Sequence, residues 1–130
     1  MYMKTLFEKF NEGTFTSPYG KKAFAELDWN PHPAFEGVEL KHLLTAADTG
    51  GGFSFHLVRI APGKCIGEHI HASQLETHEV IVGSGYCINE GVRIPYESGA
   101  VTILRKGTPH SVYAADDGLY LFAKFIPALC

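Results

Sequence analysis

His69, Ile70 and His71 make a His-x-His pair, with Glu76 a few residues on and His110 further along the chain. Side chains on a β-strand alternate with a period of two, so a strand through 69–71 would throw both imidazoles to the same face. Two imidazoles on one face suit a first-row divalent metal, which then needs one or two further nitrogen or oxygen ligands. Glu76 and His110 are placed to supply them. Gly63, Gly83, Gly99 and Gly107 flank these stretches and read as the places where strands turn.

Glu79 also precedes Gly83, so the carboxylate needs choosing. In a strand through 76–82, Glu76, His78, Val80 and Val82 share one face, and Thr77, Glu79 and Ile81 share the other. An inward face bearing Val80 and Val82 carries Glu76 inward and sends Glu79 outward. Ile81 is also apolar, so phasing favours Glu76 without deciding alone. His78 lies on the Glu76 face about 6–7 Å further up the strand. It is the candidate catalytic residue, as a proton carrier; a fifth ligand, or a hydrogen-bonding wall with no chemistry, are the alternatives.

Three neutral imidazoles and one carboxylate around a divalent ion leave a net charge of about +1 and, in octahedral geometry, about two open positions. Such a centre suits a bidentate oxygen ligand: a hydroxy-carbonyl, an enediolate or a carboxylate. Iron, manganese, nickel and zinc all accept these donors. Cys65 and Cys87 fall outside the ligand spacing, which argues against a structural zinc. His42 and His56 sit on earlier strands without a ligand spacing and read as structural or surface residues; His32, between two prolines, reads as a loop residue. Arg59, Arg93 and Arg105 are candidates for positive charge near the mouth. Among Phe53, Phe55, Tyr86 and Phe122, mostly core, one or two are expected to line the cavity.

The elements that must position these groups are short. The chain has 130 residues, 45% of them hydrophobic and 19% charged, which suits one globular domain with its own core. A net charge of −3 lacks the basic footprint of a nucleic-acid binder. No apolar run reaches membrane-spanning length, and Met1–Phe10 has charges inside its apolar part, so it does not read as a signal peptide. The three cysteines, without a C-x-x-C, read as reduced thiols in a cytoplasmic protein.

Residues 4–11 predict a short helix ended by Gly13, and 14–37, rich in proline, glycine and aromatics, predict an extended arm packed on the domain or on a partner subunit. From Val38 the texture changes to β-type runs at 38–45, 53–60, 66–71, 77–82, 84–89, 92–95, 100–104, 110–114 and 118–126. Many short runs with Gly and Pro breaks indicate an all-β sandwich or barrel. Asp117-Gly118 is a hairpin signal. The division expected is an arm over 1–37 and a β-barrel domain over 38–130.

Gly63-x5-His69-x-His71-x4-Glu76-x6-Gly83 followed by Gly99-x7-Gly107-x2-His110 resembles the two motifs of the cupins, small jelly-roll barrels with a metal inside. The first motif is met at every position. In the second, Arg105 stands where the family has proline and Ala114 where it has asparagine. The resemblance spans about residues 53–126 and implies a double-stranded β-helix fold. It also implies metal ligation by His69, His71, Glu76 and His110, choosing Glu76 over Glu79, and a homodimer.

The reading is a metal-dependent enzyme, of isomerase, lyase or dioxygenase type, acting on a small oxygenated molecule such as a sugar or a keto or hydroxy acid. The alternative is a non-catalytic module that holds a small molecule as sensor or carrier. A barrel used only for storage or structure is disfavoured by the complete ligand set. No nucleic-acid or membrane partner is expected.

Overall fold

The computed structural model describes residues 5–130. Lys4, the first residue of the predicted helix, and the residues before it, read above as part of a segment that is no signal peptide, lie outside the described residues. Helix α1 (Leu6–Asn11) starts at a reciprocal cap: Glu8 N–H donates to the Thr5 hydroxyl and Thr5 N–H to the Glu8 carboxylate, both at 3.1 Å.

The residues read as an extended arm fold back on their own chain. Strands β1 (Thr14–Ser17) and β2 (Gly20–Ala23) pair as a hairpin, a single 3-10 turn follows at Phe24–Glu26, and β3 (Asn30–Pro31) pairs with β4 (Val38–Leu44). Pro31 is tolerated because β3 lies at the sheet edge. Phe24 is buried with Leu43, Leu57 and Ile81, and Phe7, Phe15 and Trp29 pack against that cluster. The arm therefore covers the outside of the barrel with aromatic surface, and Trp29 lies under the Arg59 guanidinium at 3.9 Å.

The remaining elements are α2 (Ala46–Thr49), β5 (Ser54–Ile60), β6 (Cys65–His69), β7 (Leu75–Asn89), β8 (Val92–Glu97), β9 (Val101–Leu104) and β10 (His110–Ile126). The main sheet runs β3-β4-β5-β10-β7-β8, with β6 added on β10 and β9 on β7. This is an all-β jelly-roll barrel with a short N-terminal helix. The core inside it includes Val58, Ile60, Val80, Leu104, Leu121 and Phe125.

Two expectations about strands are corrected. Residues 77–82 and 84–89 form one strand, β7, and 110–114 and 118–126 form one strand, β10. Gly83 and Asp117-Gly118 mark a bend rather than turns: Leu119 pairs with Gly83, and the register slips between Ala114 and Leu119. A bulge lets both long strands turn a barrel corner without ending, so each contributes to both faces. The phasing of β7 is right at Glu76, His78 and Val80, all buried, but Val82 emerges at the bend and is exposed. Ile81 is buried because the arm covers the outer face.

Candidate metal centre

His69 is the last residue of β6, and His71 lies two residues beyond the strand's end. The alternation nevertheless continues, with Ile70 exposed between them. Gly107 N–H donates to the His71 carbonyl at 2.9 Å, tying this stretch to the turn that precedes His110. Across β6 and β10, His110 pairs directly with His69. Glu76 enters from β7, opposite Phe125 on β10.

These placements bring the four predicted ligands together: one donor atom from each of His69, His71, Glu76 and His110 lies within 4.8 Å of the others. Glu76 Oε1 is 3.2 Å from His110 Nε2 and 3.5 Å from His71 Nε2. His69 Nδ1–H donates to the Gly67 carbonyl at 2.8 Å, which fixes its tautomer and leaves Nε2 bare. Burial lowers the pKa of both His69 and His71, so these imidazoles are neutral at pH 7, the form that binds a metal. Burial alone would raise the Glu76 carboxyl, but its interactions with His78 and His110 outweigh that and hold it well below the usual carboxylate range.

The donor set fits a divalent cation on a further observation. Among the described residues, both ring nitrogens of His110 and Glu76 Oε1 are buried without a hydrogen-bond partner, although His110 Nε2 and Glu76 Oε1 are close. Buried polar atoms of this kind cost about 1–3 kcal/mol each when left unsatisfied. A cation among them satisfies Glu76 Oε1 and one of the two His110 nitrogens.

Glu79 points away from the cluster and pairs with Lys124 at 2.6 Å on the outer face. His78 is buried behind Glu76. Its Nε2–H donates to Glu76 Oε2 at 2.8 Å, since a carboxylate can only accept, and its Nδ1 accepts from the Tyr96 hydroxyl at 2.7 Å. Burial first, then the nearby Cys87, raises Tyr96 and keeps it a neutral phenol.

A cavity of about 60 Å3 adjoins the ligands. Its wall is apolar, with Leu40, Val58, Ile66, Leu121 and Phe125, and one polar residue outside the ligand group and His78 is His32. Larger clefts of about 600 and 500 Å3 lie outside the barrel against α1, away from the histidines.

His32 is in a loop-like stretch as expected, but it faces the cavity. Ala34 N–H donates to its Nδ1 at 3.0 Å, leaving Nε2–H free to donate. Phe125 also escaped the sequence reading. Its signal was available, in the inward alternation Leu121, Ala123, Phe125.

Conversely, Phe55 and Phe122 stack edge to face within the outer aromatic cluster, and Tyr86 stacks on Tyr113. Phe53 is among the exposed residues. None of these four lines the cavity. The three arginines are engaged elsewhere: Arg59 with Glu39 and Trp29, Arg93 over Tyr86, and Arg105 with Glu90. Arg105 holds Glu90 through two contacts of 2.9 and 2.6 Å, while its carbonyl accepts from the Thr108 hydroxyl at 2.7 Å. These bonds brace the turn into His110 at the position where proline was expected.

The fold has counterparts among known proteins. A predicted oxalate decarboxylase from Thermotoga maritima superposes with a TM-score of 0.72 at 24% identity, covering 79% of this chain and 95% of that one. KdgF from Halomonas sp. gives 0.69 at 18% identity, over 79% and 88% of the two chains. In sequence, the chain is 29% identical over 76 residues to an oxalate-binding protein of Thermotoga maritima, covering 58% of this chain and 63% of that protein's length. The Cupin domain family matches residues 56–122, a span that opens at His56 and takes in His69, His71, Glu76 and His110. Matched over just over half its length, with the expected barrel around those four residues, the chain belongs to the cupin family.

Proposed function

We propose that this protein is a metal-dependent enzyme acting on a short oxygenated anion. One divalent transition metal, iron, manganese, nickel or zinc, is held by His69, His71, Glu76 and His110. The observation that carries this reading is the buried, orphaned His110–Glu76 pair, whose Glu76 lines a cavity of about 60 Å3. That volume is far below the roughly 300–1,000 Å3 of sites for drug-sized ligands. It favours an acid of two to four carbons over a sugar. The similarity to an oxalate-binding protein supports the same substrate class.

When bound, the metal supplies Lewis acidity to adjacent oxygens of the ligand. The chain's own residues do the rest. His32 Nε2–H donates to a ligand oxygen, and the apolar wall excludes water and strengthens that bond. His78 holds the Glu76 carboxylate in place. Both of its ring nitrogens are engaged, which supports a positioning role over direct proton transfer to substrate.

His78→Ala is therefore expected to lower metal affinity by about 10–100-fold, the usual cost of losing an outer-shell partner. His78→Gln, whose amide can still donate to Glu76, should recover part of it. Full affinity in His78→Ala would remove this role. His32→Leu should keep the metal and lose about tenfold in anion affinity, in line with a hydrogen bond to a charged group; unchanged affinity would take His32 out of the site.

The reading is tested by metal analysis followed by calorimetric titration of the loaded protein with oxalate, malonate and adipate. Tight binding of the two short acids and none of adipate is expected. Failure to take up metal would overturn the proposal.

The second reading, a non-catalytic binding module, is favoured by the binding function in the relative's name. Incubation with carbon-13-labelled ligand separates the two: recovery unchanged supports the module, and a new carbon resonance supports the enzyme. A homodimer in the cytoplasm belongs to the same proposal. Val101 and Ile103 on β9 are exposed and apolar and offer a surface for it. Light scattering at micromolar concentration should give twice the mass of one chain, and a monomer would end that part.

A further inference from the structure

A second cluster of metal-binding side chains lies outside the centre described above. Strands β4 and β5 place His42 directly opposite His56, with the two Nδ1 atoms 2.7 Å apart. His56 is fully buried, and its Nε2 is 2.7 Å from the Ser54 hydroxyl. The segment after β10 is pinned over this pair. Ala128 N–H donates to the Gly51 carbonyl at 3.1 Å, Leu129 N–H to the Ser54 hydroxyl at 2.8 Å, and the Cys130 carbonyl accepts from Ala46 N–H at 2.6 Å. These bonds bring the Cys130 thiol to the imidazoles, with one donor atom each from His42, His56 and Cys130 lying within 4.8 Å of one another. The Phe125 ring separates this cluster from the central one, 5.4 Å from the His56 ring and 5.0 Å from that of His71.

Two Nδ1 atoms that face each other share a single proton, one ring donating and the other accepting. A cation in the proton's place takes both lone pairs. The surroundings can accommodate that exchange: in the tautomer whose Nε2–H donates to the Ser54 hydroxyl, His56 leaves Nδ1 bare, the outer-shell arrangement usual for a metal-bound histidine. We propose that His42, His56 and Cys130 form a second metal site, for a thiophilic cation of the zinc class. Two imidazoles and a thiolate suit such an ion far better than magnesium or calcium, which take oxygen ligands. Solvent supplies the fourth position, because the Cys130 side is exposed.

On binding, the Cys130 thiol loses its proton to solvent, and His42 moves its proton from Nδ1 to Nε2. Both imidazoles stay neutral, and the Nδ1 atoms separate to about 3.3 Å, as tetrahedral zinc requires. Burial favours the neutral imidazoles, lowering His42 and taking His56 to about 4. Leu129, between the pinned bonds, lines the central cavity, so an ion here would hold part of that cavity's wall in place.

Cobalt(II) is the probe, because thiolate ligation gives a near-ultraviolet charge-transfer band that nitrogen and oxygen ligands do not. The native chain is expected to bind two equivalents and to show the band. Cys130→Ser and His42→Ala should each lose the band and one equivalent. His69→Ala/His71→Ala should lose the other equivalent and keep the band. Zinc should protect one thiol from a chromogenic disulfide in the native chain and none in His42→Ala. No band in the native protein, a band that survives Cys130→Ser, or a band lost with the central histidines would each overturn the second site. Cys130 is exposed, so Cys130→Ser tests the site without disturbing the core.

Discussion

Glu76→Gln is expected to weaken metal binding at the central site by more than about 100-fold, beyond what outer-shell changes cost. Glu76 is the one carboxylate in the four-residue cluster, and its neighbours hold it ionised in the fold. The amide that replaces it is nearly the same size, so packing is kept while the only negative charge facing three imidazoles is lost. Its NH2 group also has to face either the His78 N–H or the donor atoms of the cluster. Competition against a chelator of known affinity measures the loss. A 100-fold fall also removes about 2.7 kcal/mol of the stabilisation that saturating metal gives the fold, so the melting temperature should drop further in excess metal than it does in the metal-free protein. Glu79→Gln is the control, since Glu79 pairs with Lys124 on the outer face and should leave metal affinity unchanged. If the two variants exchanged behaviour, Glu79 would be the ligand and the phasing of β7 would be off by one residue.

That phasing was legible because a period of two admits only two answers, and Val80 tips the choice. The His-x-His pair was legible for the same reason, although His71 sits past the end of β6 and keeps the alternation only because the following turn is bonded to it. The long strands were not. Gly83 and Gly118 look like turn residues in a string of letters, and nothing local says that they face each other across β7 and β10. His32 was hidden for a different reason: it reaches the cavity by tertiary packing of the arm, which no periodicity within 14–37 encodes. His42 and His56 lacked a motif because they are neighbours across strands, and a register is not visible in spacing. The second motif's missing proline was visible, but the Arg105–Glu90 pair that braces the same turn was not.

Gly83→Ala is expected to destabilise the fold by about 4 kcal/mol, the sum of two independent costs of about 1–3 kcal/mol each. Gly83 has φ of 92°, a conformation that an L side chain adopts only under strain. An alanine Cβ there would also sit 2.2 Å from the Gly118 carbonyl oxygen and 3.1 Å from the Leu119 Cα. These are backbone atoms of the paired strand and cannot rotate away. Gly91 separates the two costs: its φ is 82°, but a Cβ there would meet nothing among the described residues within 4 Å. Gly91→Ala should therefore cost only the strain, about 1–2 kcal/mol. Urea unfolding of both variants measures the difference. Against a typical total of about 5–15 kcal/mol, the Gly83 change takes up a large share of what holds the domain together. It also acts at the corner where β7 and β10 bend. Glu76 and His110 lie on opposite sides of that corner, on different strands, so a displaced bend shifts one ligand relative to the other. Metal affinity should fall along with stability in Gly83→Ala and stay native in Gly91→Ala. Equal losses of stability in the two variants would mean that the strands slide apart freely at this point and that the bend does not set the ligand geometry.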